Sequence, residues 1–289
     1  MLFSVVVGCA PAPVADGQRA TGDQVVAGGQ PTSAVGIGLD NLNAVLWVQT
    51  AVQYRANSLQ AYALAARVLD EALADPGWTA FLGQTEDFEN LPPAIILDID
   101  ETVLDNSYYE ARLTVDHLAY GEDSWNDWVL QEAATPVPGA VEFIDYAASR
   151  GVTAFYVTNR RDHVEEATRN NLAEIGLSLD ESTDTLLLRG EIPAWESSDK
   201  TPRWESVAAD HRILMMFGDN MGDFSAALAG SVAERRAFAD AHRDYWGTKW
   251  ITLANPTYGS FIGAVLNNDF SLPVEQQIAL KKQALDPKR

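Results

Sequence analysis

Four aspartates carry the chemistry this sequence can do. In the stretch PAIILDIDETVLDNS, residues 93–107, an apolar segment runs straight into acid: Asp98, Asp100, Glu101 and Asp105 fall within eight positions. A second pair, Asp219 and Asp223, follows the apolar run of HRILMMFGDN. Alternation along a strand puts Asp98 and Asp100 on one side of its end. A four-residue spacing at the start of a loop or helix puts Asp219 and Asp223 on one face. If the two segments are neighbouring strands, four carboxylates share one pocket. Their repulsion and desolvation would be prohibitive without a cation. The ligands are all oxygen, with no His or Cys among them, so the ion is a hard one. Mg²⁺ fits best, because it keeps waters and takes a few carboxylates plus a substrate phosphate.

The elements that must position these residues can be read along the chain. From Leu42 to Ala74 apolar residues recur at three- and four-residue steps, as one or two amphipathic helices require, and Asp75-Pro76-Gly77 stops them. LPPAIILDID reads as a buried strand, and residues 108–134 as mainly helical. Pro138 opens a helix that Gly151 caps. VTAFYVTNR is a second buried strand, DHVEEATRNNLAEIG a helix, DTLLLRG a short third strand, HRILMMFGDN a fourth and KWITLANP a fifth. A helix opens at DFSAALAG, and residues 257–285 are loop and helix. Continuous apolar strands separated by helices mean an α/β fold: a Rossmann-like parallel sheet with helices on both faces. Ligands of such sheets bind at the carboxyl ends of strands, where the aspartates lie.

Set in order along the chain, these segments resemble the motifs of the haloacid dehalogenase (HAD) superfamily. ILDIDETVLDNS is similar to motif one, FYVTNR to motif two with Thr158 at its end, SSDKTPRW to motif three with Lys200, and MFGDNMGDF to motif four. The DxDET and LDNS forms, VTNR and GDNxxDF together resemble the class C, or DDDD, acid phosphatases, over roughly residues 40–270; SWNDWV, VPGAVEF and NPTYG agree. The resemblance implies a Mg²⁺-dependent phosphomonoesterase. Asp98 would be the nucleophile that forms an aspartyl-phosphate, and Asp100 the general acid and base. Asp98, the Asp100 backbone carbonyl and Asp219 would hold Mg²⁺, with Asp223 a ligand or close support. Thr158 and the Asn159 amide would bind phosphate oxygens, Lys200 would offset charge, and Thr102 would fix the motif loop. Trp125 and Tyr258 would be aromatic walls around a nucleobase, which implies a broad 5′-nucleotidase that also accepts aryl phosphates. Arg160, Arg161 and Arg203 read as structural ion-pair partners. A homodimer is implied by the resemblance alone.

Bulk properties narrow the alternatives. The chain has 289 residues, 47% hydrophobic, with a formal net charge of -21. Such a surface repels nucleic acid. One cysteine, Cys9, excludes a disulfide framework, and four scattered histidines argue against a zinc hydrolase. A dehalogenase does not need Asp100, and a phosphoryl-transferring pump would carry lysine there and many membrane spans. A surface lipoprotein that only binds a ligand or partner is the alternative from another class. Val6-Val7-Gly8-Cys9 resembles a bacterial lipobox, although no Lys or Arg precedes it, which a start codon further upstream would explain. The organisation expected is therefore a signal remnant at 1–8, a lipidated flexible tether at 9–37, and a catalytic domain at 38–285. A helical subdomain would be built from about 40–90 and 108–134. The expected location is the cell envelope, lipid-anchored at the outer membrane or periplasmic face.

Overall fold

The computed structural model describes residues 40–177, 179, 183–226 and 230–288. Cys9 and the segments expected to be a signal remnant and a tether lie outside the described residues. In chain order the elements are α1 (Leu42–Thr50), α2 (Val52–Ala74), β1 (Pro93–Leu97), β2 (Leu104–Asp105), α3 (Ser107–Val115), α4 (Glu122–Val129), β3 (Thr135–Pro136) and α5 (Ala140–Ser149). Then come β4 (Thr153–Arg161), α6 (Glu165–Glu174), β5 (Leu186–Arg189), α7 (Thr201–Asp210), β6 (Arg212–Gly218), α8 (Val232–Ala241), β7 (Trp250–Thr252), α9 (Ser260–Leu266) and α10 (Val274–Gln283). No helix among the described residues is long and apolar enough to cross a membrane.

Five strands form one parallel sheet in the order β5-β4-β1-β6-β7. β1 is central, and chain order reverses on its two sides. A crevice opens at such a reversal, because the connections after β1 and its neighbours leave toward opposite faces. β2 and β3 pair antiparallel in a separate two-residue ladder. The sheet buries both faces, and side-chain alternation along β1 shows how. Ile95 and Leu97 point into a layer that contains Tyr62, Leu69, Phe143 and Phe217. Ala94 and Ile96 point into the opposite layer, with Phe81, Trp204, Val207 and Trp250.

The helical reading of residues 42–74 resolves into two helices, because Ala51 adopts an extended backbone (φ -80°, ψ 126°) between them. α2 packs on α5, β6 and β7, and its Tyr62, Ala65 and Leu69 belong to the sheet's own core. That part of the expected helical subdomain is a sheet-covering helix. α1 packs on α3 instead, and Asn41, just before α1, donates from Nδ2 to Glu110 of α3 at 2.9 Å. α5 ends as expected at Gly151, whose φ of 76° suits a residue without Cβ. The helix expected at DFSAALAG falls largely on residues 226–229, of which 227–229 lie outside the described residues. Met221–Asp223, at its start, is a single 3₁₀ turn, and α8 begins at Val232. Ser231 and Glu234 there form a reciprocal cap, a stronger start signal than anything near residue 224.

Candidate active site

The carboxyl ends of β1, β4, β6 and β7 bring the chemistry together. Asp98 follows β1 and continues the side of Ala94 and Ile96, the side covered by α7. Its backbone N–H donates to the Phe217 carbonyl at 3.0 Å, so pairing with β6 extends to the aspartate itself. Lys200 immediately precedes α7, and its Nζ donates to Asp98 Oδ1 and, at 2.7 Å, to Asp223 Oδ1. Asp98, Lys200 and Asp223 are all buried.

Asp219 and Asp223 come from the loop after β6, and each is separately fixed. Asp223 Oδ2 accepts the Asn220 backbone N–H at 2.9 Å, closing the 3₁₀ turn. Gly218 makes this possible: a Cβ there would collide with the Asp223 side chain. Asp219 Oδ2 accepts from Asn255 Nδ2 at 2.8 Å. The two aspartates thus converge through a turn, where the sequence suggested a shared helix face.

One carboxylate oxygen each from Asp98, Asp219 and Asp223 can lie within 4.8 Å of one another. Burial raises the Asp98 carboxyl to about 7; Asp223 and Asp100 push the same way and Lys200 opposes them. Burial also raises Asp219 well above the usual carboxylate range, reinforced by Asp223 and Asp98. Burial alone would lower Lys200, but Asp223 and Asp98 more than reverse it and hold its proton. Once all three are ionised, three carboxylates against one ammonium leave two negative charges, the charge one divalent cation neutralises. The donor set is all carboxylate, so the residues fit a hard divalent ion.

Asp100 stands apart from this cluster. Its carboxylate pairs with buried Arg160, whose Nη2 lies 2.8 Å from Oδ1, and accepts from Asn106 Nδ2 at 3.0 Å. The Asp100 side chain therefore faces Arg160 and Asn106, while Asp98, Asp219 and Asp223 face one another. The loop between Asp98 and Asn106 is held by its backbone. Val103 and Leu104 N–H both donate to the Ile99 carbonyl, at 2.8 and 2.9 Å. Glu101 adopts φ 61°, and its Oε1 accepts the Asn106 N–H at 2.9 Å. Burial, then Asp100 and Asp219, raise Glu101 well above its ordinary range. Thr102 was expected to fix the loop, and the structure corrects how. Its hydroxyl is buried without a protein partner, and its carbonyl accepts the Tyr62 hydroxyl at 2.7 Å.

Thr158 is fully buried near the end of β4, and its Oγ1 accepts the Arg160 N–H at 3.1 Å. The Asn159 side chain donates to the Ser198 carbonyl at 3.1 Å and accepts from Arg203 Nη2 at 2.8 Å. Its side-chain amide is thus committed to the loop that carries Lys200. Of the three arginines read as ion-pair partners, Arg160 holds Asp100, and Arg161 joins Glu122 (3.2 Å) to Glu196 (2.6 Å). Arg203 is a correction. Its guanidinium serves the Thr158 carbonyl and Asn159 Oδ1, and no ion pair is made by it among the described residues.

Trp125 and Tyr258 are carried by separate segments, α4 and the turn after β7. Trp125 in α4 is half-buried, edge-on to Tyr109 at 5.2 Å, with the Arg160 guanidinium 5.8 Å from its ring. Tyr258 follows β7 and is half-buried. Asn255 Oδ1 accepts the Thr257 N–H at 2.9 Å and the Tyr258 N–H at 3.4 Å, folding the turn that carries the ring. Sequence reasoning missed Asn106, Trp128 and Asn255 as supports. Asn106 and Asn255 sit inside LDNS and NPTYG, which the motif comparison had quoted without giving them roles.

A model of the HAD superfamily, subfamily IIIB (acid phosphatase), matches residues 37–261. The structure of the class C acid phosphatase from Bacillus anthracis is similar, with TM-score 0.76 and 31% identity over 88% of this chain and 99% of that one. A crystal structure of the class C acid phosphatase from Bacillus anthracis with tungstate bound aligns at TM-score 0.77, again at 31% identity with the same coverage. The carboxylate cluster stands at the topological reversal of a HAD-like α/β fold, and the chain belongs to subfamily IIIB of the HAD superfamily: it is an acid phosphatase of class C, a phosphomonoesterase.

Proposed function

We propose that the chain hydrolyses phosphate monoesters with Mg²⁺ through an aspartyl-phosphate on Asp98, and that nucleoside 5′-monophosphates and aryl phosphates are its substrates. The observation that carries this reading is the buried contact of Lys200 with both Asp98 and Asp223, beside Asp219. Asp98, Asp219 and Asp223 would hold the ion, with the Asp100 carbonyl. When bound, it supplies positive charge that screens the phosphate from the carboxylates and stabilises charge on its oxygens.

In the first half-reaction an Asp98 carboxylate oxygen attacks phosphorus, and the bond from phosphorus to the ester oxygen breaks. Asp100 gives its proton to the departing oxygen. In the second, Asp100 takes a proton from water, and the resulting hydroxide attacks phosphorus and releases Asp98 and inorganic phosphate. Thr158 Oγ and the Asn159 backbone amide would orient phosphate oxygens, since the Asn159 side chain is engaged elsewhere. Lys200 opposes the upward push of burial on the Asp98 carboxyl and offsets charge as the phosphate approaches. Trp125 and Tyr258 would stack on a base. Stacking accepts any base, which supports breadth within nucleotides.

Activity should vanish with chelator and return with Mg²⁺. Asp98→Asn should abolish turnover, because an amide does not attack phosphorus. Borohydride reduction of acid-quenched wild-type enzyme should convert residue 98 to homoserine. Chelator-resistant turnover, or labelling at a different residue, would reject the reading. The lipid anchor on Cys9 and a homodimer belong to the same proposal, supported by the Val6–Cys9 motif and by family resemblance respectively. Palmitate labelling that is lost in Cys9→Ser, and mass measurement in solution, test them.

A further inference from the structure

Asp100 meets its neighbours almost entirely through one oxygen. Oδ1 accepts from Arg160 Nη2 at 2.8 Å, from Arg160 Nε at 3.0 Å and from Asn106 Nδ2 at 3.0 Å. Oδ2 has only a longer contact to the same Nε, at 3.3 Å. This is not how an arginine and a carboxylate settle when left alone. They form a two-bond fork, with one oxygen on each N–H. Here both guanidinium donors converge on Oδ1, and the third bond, from Asn106, draws that oxygen toward it.

Asn106 is in turn fixed by Trp128. The indole Nε1 donates to Asn106 Oδ1 at 2.8 Å. An indole N–H can only donate, so the amide must turn its oxygen to Trp128 and its NH₂ to Asp100. The reversed amide would oppose two donors at Trp128 and two acceptors at Asp100. Both side chains are buried, at 0% and 2% exposure, so water cannot offer an alternative partner. The Trp128 indole and the Asp100 carboxylate thus lie at the two ends of one relay through the Asn106 amide; it starts in α4, the helix that also carries Trp125.

We propose that Asn106 and Trp128 are positioning residues: they hold Asp100 off the symmetric fork with Arg160, so that Oδ2 keeps only its long contact to Nε and faces the leaving-group oxygen. The proposal rests on the reading of Asp100 as the general acid. Without the relay the carboxylate would close onto Arg160, both oxygens would be engaged, and neither would be placed for proton transfer.

Leaving-group dependence reads this directly. A departing p-nitrophenolate hardly needs a proton, whereas an alkoxide does. kcat/KM includes the first bond-breaking step, so it is compared for p-nitrophenyl phosphate and a simple alkyl phosphate. The enzymes are wild type, Trp128→Phe, Asn106→Leu and Asp100→Asn, all loaded with Mg²⁺. Trp128→Phe keeps the ring and removes the donor. Asn106→Leu keeps the approximate size and removes the amide. Both should lose about 10- to 100-fold on the alkyl ester and less than about 3-fold on the aryl ester, since a misplaced acid forfeits part of the roughly 10²–10⁴-fold that proton transfer supplies. Combined with Asp100→Asn, neither should cost anything further on the alkyl ester. Equal losses on both esters in a variant whose circular dichroism is unchanged would overturn the proposal. If Asp100→Asn itself shows no greater loss on the alkyl ester, the acid assignment falls instead. The two failures are therefore distinct. Should one variant not fold, the other decides.

Discussion

Glu110 in α3 gives a quantitative test of how this protein tolerates buried charge. It is only 8% exposed, and its one polar side-chain contact among the described residues is with Asn41 Nδ2 at 2.9 Å. Burial raises its carboxyl from 4.5 to about 7, against the opposing effect of the Asn41 bond. The sign follows from linkage. Below pH 4.5 the group is protonated in both folded and unfolded chains and contributes nothing to pH dependence. Between 4.5 and about 7 the folded chain holds the proton that the unfolded chain has lost, so stability falls as pH rises. Above 7 the full penalty persists. At about 1.4 kcal/mol per pH unit, the displacement amounts to about 3 kcal/mol. Glu110→Gln imitates the protonated acid at every pH and keeps an oxygen for Asn41. Urea unfolding of the two proteins at pH 4, 5.5, 7 and 8 should therefore agree at the acid end. By pH 8 the variant should be the more stable by about 3 kcal/mol. A difference that stays constant from pH 4 to 8 would refute the reasoning, since only titration of Glu110 makes it grow.

Further outcomes follow from the site. Lys200→Met removes the single cation that touches Asp98 and Asp223 among the described residues, so the metal-free variant should lose about 3–5 kcal/mol near neutral pH, with part recovered on adding Mg²⁺, as read by unfolding with and without the ion. Asn255→Ala frees Asp219 and should weaken Mg²⁺ or Mn²⁺ binding about 10- to 100-fold by calorimetry; an unchanged affinity would mean that Asp219 needs no support. Trp125→Ala and Tyr258→Ala should each lower kcat/KM for a nucleoside monophosphate about 5- to 100-fold, the equivalent of about 1–3 kcal/mol of stacking, with much less effect on a small aliphatic ester. Equal losses on both esters with a large drop in Tm would mark the rings as core.

The fold was legible because its signals are periodic. Each strand of the main sheet is a continuous apolar run, and that is what burial on both faces demands. The aspartates were legible because carboxylates at the ends of such runs have few bland explanations. What escaped was geometry that depends on partners distant in sequence. The spacing of Asp219 and Asp223 fits one helix face, but Gly218 and Asn220 fold them into a tight turn instead. Arg203 looks like an ion-pair partner in a chain with so many acids. In the fold it reaches the Thr158 carbonyl and Asn159, 45 and 44 positions away. Thr102 read as the residue that fixes the motif loop, yet the loop hangs on its carbonyl and on Tyr62, a residue 40 positions earlier with no mark of its own in the sequence. Asn106 and Asn255 were visible as letters in motifs but not as supports, because an amide's role is set by what lies across from each end.

The hydrogen bond from Asn255 to Asp219 also has a consequence in time. A ribosome that has just made Asp98 must continue past β7 before the last support of the metal site exists. At about 5–20 residues per second, that interval is on the order of ten seconds or more. For about the last 2–7 seconds of it, between Asp219 and Asn255, the nascent chain carries its acidic loop without the amide that restrains Asp219. A product truncated after α8 would retain Asp98, Asp100, Thr158, Lys200, Asp219 and Asp223 and still lack β7 and Asn255. Competence is therefore tied to completion: the edge strand made last acts as a checkpoint on synthesis, and incomplete chains should be poor at capturing metal.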